Sequence, residues 1–479
     1  MDHILYWNEV ALEANRVDFT FVPEGKTKPA SEQGGPTLSS RALAIVHLAM
    51  YDAHAGSVNS PANLPRYLTP PASPTGANAA AAVAAAAHTT LCALYPRQRP
   101  FFDAKLQSAG LNGAGIEAGH DFGLAVARAH LAARAADPDV SDRLYSPSMG
   151  KGHHRLDPVS PTQGFHAPSY GALSKCFAVM TRHELMAPPG RATPEYVTAL
   201  RQVRGKGIAP ELMGTLPNTI VKRSVDETLI GLFWGFDGAR DLGTPPRLYN
   251  QIVRRIAIDR TNTADQNARL FALVNAAMGD AGILAWEQKY KYDLWRPVIG
   301  LREHDASMGP VAPQPTANIN DDCDPLWLPL GAPATNSTEP NFTPPFPAYP
   351  SGHATFGAAA LHMTRLFYKG NSFVGNRAND DLFPSSFVSE ELNGVNKDNR
   401  GIVRPRHERS FPGGLWQMII ENGLSRVYLG VHWSYDAFAL AANGQPDLSR
   451  NVGGVPLGLA IAEDMFQFGG GKAPKRSTV

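Results

Sequence analysis

Apolar residues recur at spacings of three and four over 4–17 (ILYWNEVALEANRV), 39–55 (SSRALAIVHLAMYDAHA), 77–95 (ANAAAAVAAAAHTTLCALY) and 114–137 (AGIEAGHDFGLAVARAHLAARAAD), which predicts amphipathic helices. Alternating runs of Val, Ile, Thr and Tyr, the mark of half-buried strands, are almost absent. The fold class expected is therefore all-α. The Ala-rich segment has helix propensity throughout and lacks the Pro, Gly or charge bias of a linker, so it reads as a closely packed core helix. Pro-rich loops at 57–75, 138–168 and 305–350 act as fixed connectors between helices. The chain divides into an N-terminal helical half, 1–250, and a C-terminal half, 251–470, that holds the unusual residue spacings; the tail 471–479 is expected to fray.

Composition narrows the chemistry. The chain has 479 residues and is 43% hydrophobic, enough for a substantial core. Lys plus Arg number 44 against 43 Asp plus Glu, a balance that points to no nucleic acid, anionic membrane or polyacid partner. Any charge-based chemistry must be local. Cys92, Cys176 and Cys323 form no CxxC pair, build no disulfide framework and match no zinc spacing. The opening MDHILYWNEV carries no basic n-region. The most apolar run stops at His88, short of the ~20 residues of a membrane span. A soluble protein is expected, cytoplasmic or exported without an ordinary signal.

Three stretches of the second half bring cations and a helix end into question. In WEQKYKYDLWRPV, Lys289 and Arg296 are seven apart, which on a single helix puts both on one face; Pro297 ends that helix. Alone, the pair reads equally as a solvated basic face. In FPAYPSGHATFGAAA, Ser351 has the character of an N-cap, so the N–H groups of Gly352 and His353 should sit at the positive end of a helix dipole, where oxyanions bind. Gly352 lets a ligand approach the backbone. In GLSRVYLGVHWSYDAF, Arg426 and His432 fall on different faces of a straight helix, and Gly430 between them suggests a kink or a helix start that turns both to one point. Asp436, four after His432, is placed to hold one ring nitrogen. Each stretch alone has an ordinary structural reading; together they fix eleven positions, with chance odds of about one in 10^8.

Lys-x6-Arg-Pro, Pro-Ser-Gly-His and Ser-Arg-x5-His-x3-Asp resemble the active-site signature shared by vanadium-dependent haloperoxidases and the PAP2-type acid phosphatases. The segments ILYWNEVALEANRV, SRALAIVHLAMYDA and FWGFDGARDLGTPPRLYNQI extend the likeness, closest to the chloroperoxidase type. The resemblance implies two four-helix bundles packed together, one holding the cofactor. It implies that His432 bonds vanadium, that Lys289, Arg296, Arg426, Ser351 and Gly352 hold the vanadate oxygens, and that His353 is the acid-base residue. Trp286, Pro344 and Phe346 match the halide-side residues. Asp237 is a candidate partner of the Arg426 guanidinium, as Asp436 is of His432. His153 and His154, in GKGHHRLDP, tempt a metal reading, but no third ligand follows at useful spacing and an exposed loop is expected.

The activity implied is oxidation of halide by hydrogen peroxide to hypohalous acid by way of peroxovanadate, with bromide and iodide as substrates, chloride left open and an organic compound as halogen acceptor. Phosphate fits the same pocket, so a phosphate-monoester hydrolase is the alternative; a non-catalytic oxyanion-binding protein is a remote one. The 71 residues between His353 and Ser425 favour the peroxidase, as insertions of that length resemble the haloperoxidases.

Overall fold

Helices fill the sequence wherever the periodicity of three and four appears. In the computed structural model, which describes residues 2–20, 30–58, 64–140, 145–311, 314–383 and 385–479, the predicted segments become α1 (His3–Thr20), α2 (Gly35–Ser57), α3 (Ala79–Leu94) and α5 (Ile116–Ala133), with α4 (Arg99–Gln107) between the last two. Next come α6 (Tyr170–Leu173), α7 (Pro194–Lys206), α8 (Val225–Phe233), α9 (Pro245–Asp259) and α10 (Ala264–Tyr292). The series ends with α11 (Pro297–Arg302), α12 (Gly352–Lys369), α13 (Gly414–Tyr428) and α14 (Gly454–Phe468). Strand pairing among the described residues is confined to two antiparallel pairs of two-residue strands and isolated bridges.

Helices α2, α3 and α5 pack together on one side, and α12 packs with α9, α13 and α14 on the other. Helix α10 lies between the groups and contacts both α2 and α12, so one continuous hydrophobic core runs across residue 250. A Thr263–Gln266 capping box starts α10, satisfying two orphan donors at its first turn. It is long and apolar enough to cross a membrane, yet 94% of its apolar window is buried inside the protein. Its composition is that of a core helix.

The alanines of α3 are explained by how closely α5 approaches. A Cβ at Gly119 would stand 2.3 Å from the Asn78 carbonyl oxygen, and one at Gly123 would stand 2.1 Å from that of Ala82. Small residues on both helices let the backbones touch. At the chain's end the expected fraying does not occur. Ala473 is buried, Ser477 N–H donates to the Phe177 carbonyl and Cys176 N–H donates to that of Val479. Backbone pairing offsets the entropy that a free tail would keep.

Gly123→Val should lower unfolding stability by about 1–3 kcal/mol through overpacking against α3; a denaturant midpoint equal to wild type would show that the two helices can move apart at no cost.

Candidate functional site

The functional side chains sit where helices stop. Helix α10 ends at Tyr292, and Asp293 adopts φ 49°, closing the helix with its N–H on the Lys289 carbonyl. Arg296 then precedes α11, which begins at Pro297. Lys289 and Arg296 therefore do not share a helical face, contrary to the spacing argument; the turn after Tyr292 brings them together. Likewise α13 ends at Tyr428, and Gly430 at φ 75° turns the chain so that His432 leaves the helix that carries Arg426. A Cβ on Gly430 would lie 2.4 Å from the Gly207 carbonyl oxygen, so the turn needs glycine twice over. His432 and Asp436 share no helical face either. A loop and a short 3-10 turn, Ser434–Asp436, bring them into contact.

These turns gather the groups around the N-terminus of α12. Ser351 caps it, its Oγ accepting from Ala354 N–H at 3.4 Å, and the leading N–H groups have no intrahelical acceptor. Ser351 N–H donates to the Asp436 carbonyl at 2.8 Å, which ties the cap to the histidine loop. His432 Nδ1 meets Asp436 Oδ2 at 2.7 Å, and Trp433 N–H donates to the same oxygen at 3.0 Å. Because a carboxylate accepts there, Nδ1 carries the proton and the Nε2 lone pair faces outward. Arg296 Nη1 donates to that lone pair at 2.9 Å.

Arg296 is otherwise held by carbonyls, Nε on Phe346 at 2.8 Å and Nη1 on Val431 at 2.8 Å. Arg426 donates from both terminal nitrogens to Asp237, at 2.9 and 2.8 Å. Lys289 spends its three donors on the carbonyls of Pro347, Ala348 and Pro350, at 2.9, 3.2 and 2.5 Å. All three cations are buried. His353 Nε2 lies 4.0 Å from Asp237 Oδ1.

A cavity of about 120 Å³ opens among these groups, lined by Asp237, Gly352, His353, Arg426 and His432 on one side and by Trp286, Pro344 and Phe346 on the other. Lys289, Arg296 and Ser351 stand behind that lining. Of this site's side chains, three buried nitrogens have no hydrogen-bond partner among the described residues: Arg296 Nη2, Arg426 Nε and His353 Nε2. Two carboxylates, each already engaged, face three cations. The two orphaned arginine donors beside a helix N-terminus are the complement of a multiply charged oxyanion, and the outward Nε2 of His432 is the complement of a metal at its centre. The residues fit vanadate or phosphate.

Two family models match parts of this chain. One, a vanadium chloroperoxidase N-terminal domain, matches residues 1–169; the other, a VCPO second helical-bundle domain, matches 269–452. The vanadium chloroperoxidase of Curvularia inaequalis is 36% identical, over 98% of this chain and 90% of its own length. The chain belongs to the vanadium chloroperoxidase family. Solved structures share the fold. A bacterial vanadium-dependent iodoperoxidase superposes with a TM-score of 0.65 at 17% identity, covering 99% of this chain and 97% of its own. A holo-type bacterial vanadium-dependent chloroperoxidase gives 0.59 at 16%, covering 91% of each chain.

In this family member the N-terminal half reaches the cavity through Asp237, which the sequence analysis proposed, and through residues that it missed. Gly35, Pro36 and His166 line it. His166 binds Thr37 Oγ1 through Nε2 at 2.9 Å, while its carbonyl accepts from Trp286 Nε1 at 3.3 Å and Tyr290 Oη at 2.7 Å. No motif flags a lone histidine in a Pro-rich loop. His154 corrects a second expectation: His153 is exposed, but His154 is buried, its N–H on the Asp293 carbonyl at 2.8 Å and its ring against Phe165. The turn that ends α10 presents Asp293 to this loop and draws it inward.

Burial and the surrounding cations set the protonation. Burial first, then Arg426, holds His353 well below the usual histidine range. Burial, Arg296 and Arg426 pull Lys289 well down, against Asp436. Burial pushes the Asp436 carboxyl up to about 7, against Lys289 and Arg296. An oxyanion placed among these groups raises the proton affinity of the two depressed bases. Between their depressed and restored values they take up protons, so phosphate or vanadate binding at a pH within that interval should consume protons. Calorimetry in two buffers of different ionisation enthalpy reads the uptake, and proton release on binding would contradict this electrostatic picture.

Proposed function

We propose that this chain is a vanadium-dependent haloperoxidase that oxidises bromide and iodide, with chloride to be read by experiment, using hydrogen peroxide and yielding hypohalous acid for an organic acceptor. The observation that carries the reading is the outward Nε2 of His432, its tautomer held by Asp436, beside the orphaned donors of Arg296 and Arg426. Family membership and the names of the relatives support it. So does the apolar wall opposite: the Trp286 and Phe346 rings lie 4.7 Å apart at 54°, a surface suited to a weakly hydrated halide. A soluble enzyme agrees with the burial of α10.

Bound vanadate would supply a Lewis-acidic centre at which peroxide becomes electrophilic toward halide. The roles of the chain's own residues follow from their geometry. His432 would hold the metal through Nε2, and taking that lone pair releases the Arg296 Nη1–H now spent on it, adding a donor for an oxyanion. Arg426 offers Nε while Asp237 fixes its plane, and Gly352 offers its N–H. Lys289 reaches an oxygen by giving up one carbonyl, the 3.2 Å contact to Ala348 being the longest. His353, neutral at Nε2, would accept the proton of incoming peroxide, and Asp237 at 4.0 Å would stabilise the imidazolium that results. Fixed positive charge around the oxygens is electrostatic preorganisation, in place before the reaction begins.

Halogenation of a phenolic dye with peroxide and each halide, with and without orthovanadate, tests the assignment. Vanadate should be required. If it inhibits hydrolysis of a phosphate monoester instead, the protein is the phosphatase of the same superfamily. His432→Ala should lose bound vanadium, whereas Lys289→Ala should retain it and halogenate about 10²–10³-fold more slowly, the loss seen when one preorganised donor is removed; full bromination by either variant would reassign the residue.

A further inference from the structure

Far along the chain from the oxyanion cavity, α3 and α4 bring together three side chains that sequence spacing did not connect. His88 and Cys92 stand one turn apart on the same face of α3, and Asp103 reaches them from α4. His88 Nε2 is 2.6 Å from Asp103 Oδ1, Cys92 Sγ is 3.5 Å from the same nitrogen, and the three ligand atoms lie within 4.8 Å of one another. None of them lines the cavity described above.

We propose that His88, Cys92 and Asp103 bind a zinc-class divalent cation. Zinc takes sulfur at about 2.3 Å and nitrogen or oxygen at about 2.0–2.2 Å, so tetrahedral ligands sit about 3.3–3.6 Å apart. The sulfur–nitrogen pair is already at that separation. The nitrogen–oxygen pair must open by under about 1 Å, a movement open to Asp103, whose side chain is 46% exposed. That exposure also gives an ion a way in and leaves room for a water as fourth ligand. Arg99 lies 3.9 Å from the other carboxylate oxygen, a contact on the solvent side that leaves Oδ1 turned toward His88. A thiolate, an imidazole and one carboxylate select zinc-like ions over magnesium or calcium, which prefer all-oxygen shells. The ion would clamp α4 against α3.

Full-length protein passed over a chelating resin and reloaded with orthovanadate is titrated with cobalt(II), then with zinc. One equivalent of cobalt should raise a thiolate-to-metal charge-transfer band, and zinc should abolish it. Cys92→Ser should remove the band and weaken zinc binding at least tenfold, and Asp103→Asn should weaken zinc while keeping the band. Dye halogenation by these variants should match wild type and serves as the check on folding. No band in the wild type, a band that survives Cys92→Ser, or unchanged zinc affinity in both variants would overturn the proposal.

Discussion

The cost of holding Lys289, Arg296 and Arg426 together without water governs the architecture around them. Each buried cation carries a desolvation penalty of several kcal/mol, and neighbours of the same sign add to it. The protein offsets this in three ways: the paired contacts of Arg426 with Asp237, carbonyls from two loops on Lys289 and Arg296, and the His432 lone pair on Arg296. It leaves the compensation incomplete, since Arg296 Nη2, Arg426 Nε and His353 Nε2 keep unmet hydrogen-bonding capacity. A site built this way binds an oxyanion because the anion completes a shell that the polypeptide starts.

Which parts were legible in the sequence follows from where each kind of information resides. Helix periodicity is local, so α1, α2, α3, α5 and α12 were readable to within a few residues. The groups now gathered around the cavity were readable as an inventory, because cations, a helix end and histidines are the residue types that suit a tetrahedral oxyanion whatever the fold. Their arrangement was not. Lys289 with Arg296 was placed by helical arithmetic, but α10 ends between them; for Arg426 and His432 a break at Gly430 was expected, and α13 ends just before it. Asp293 in a left-handed conformation and Gly430 at positive φ decide the geometry. Only the second could be suspected from sequence, since an aspartate closing a helix has no distinctive flanking pattern.

Tertiary contacts account for the remaining misses. His154 is drawn inward by the Asp293 carbonyl, a group 139 positions away that becomes available only because α10 stops there. The last residues dock because the loop around Phe177 offers them backbone partners. In each case the decisive neighbour is remote in sequence and carries no motif of its own.

The apolar wall of the cavity shows why the two family domains must act as one unit. Trp286 belongs to α10, yet its indole N–H is held by the His166 carbonyl, and His166 N–H is held in turn by the Pro345 carbonyl of the loop that carries Phe346. Arg296 Nε closes the circuit on the Phe346 carbonyl. A displacement of the 145–168 loop would thus be transmitted through His166 to both rings of the apolar wall, and through Phe346 to a guanidinium beside His432. The apolar wall and the cationic wall are joined by backbone carbonyls rather than by side-chain contacts alone. The N-terminal half therefore helps set the spacing between them even though Lys289, Arg296 and Arg426 all come from the other half.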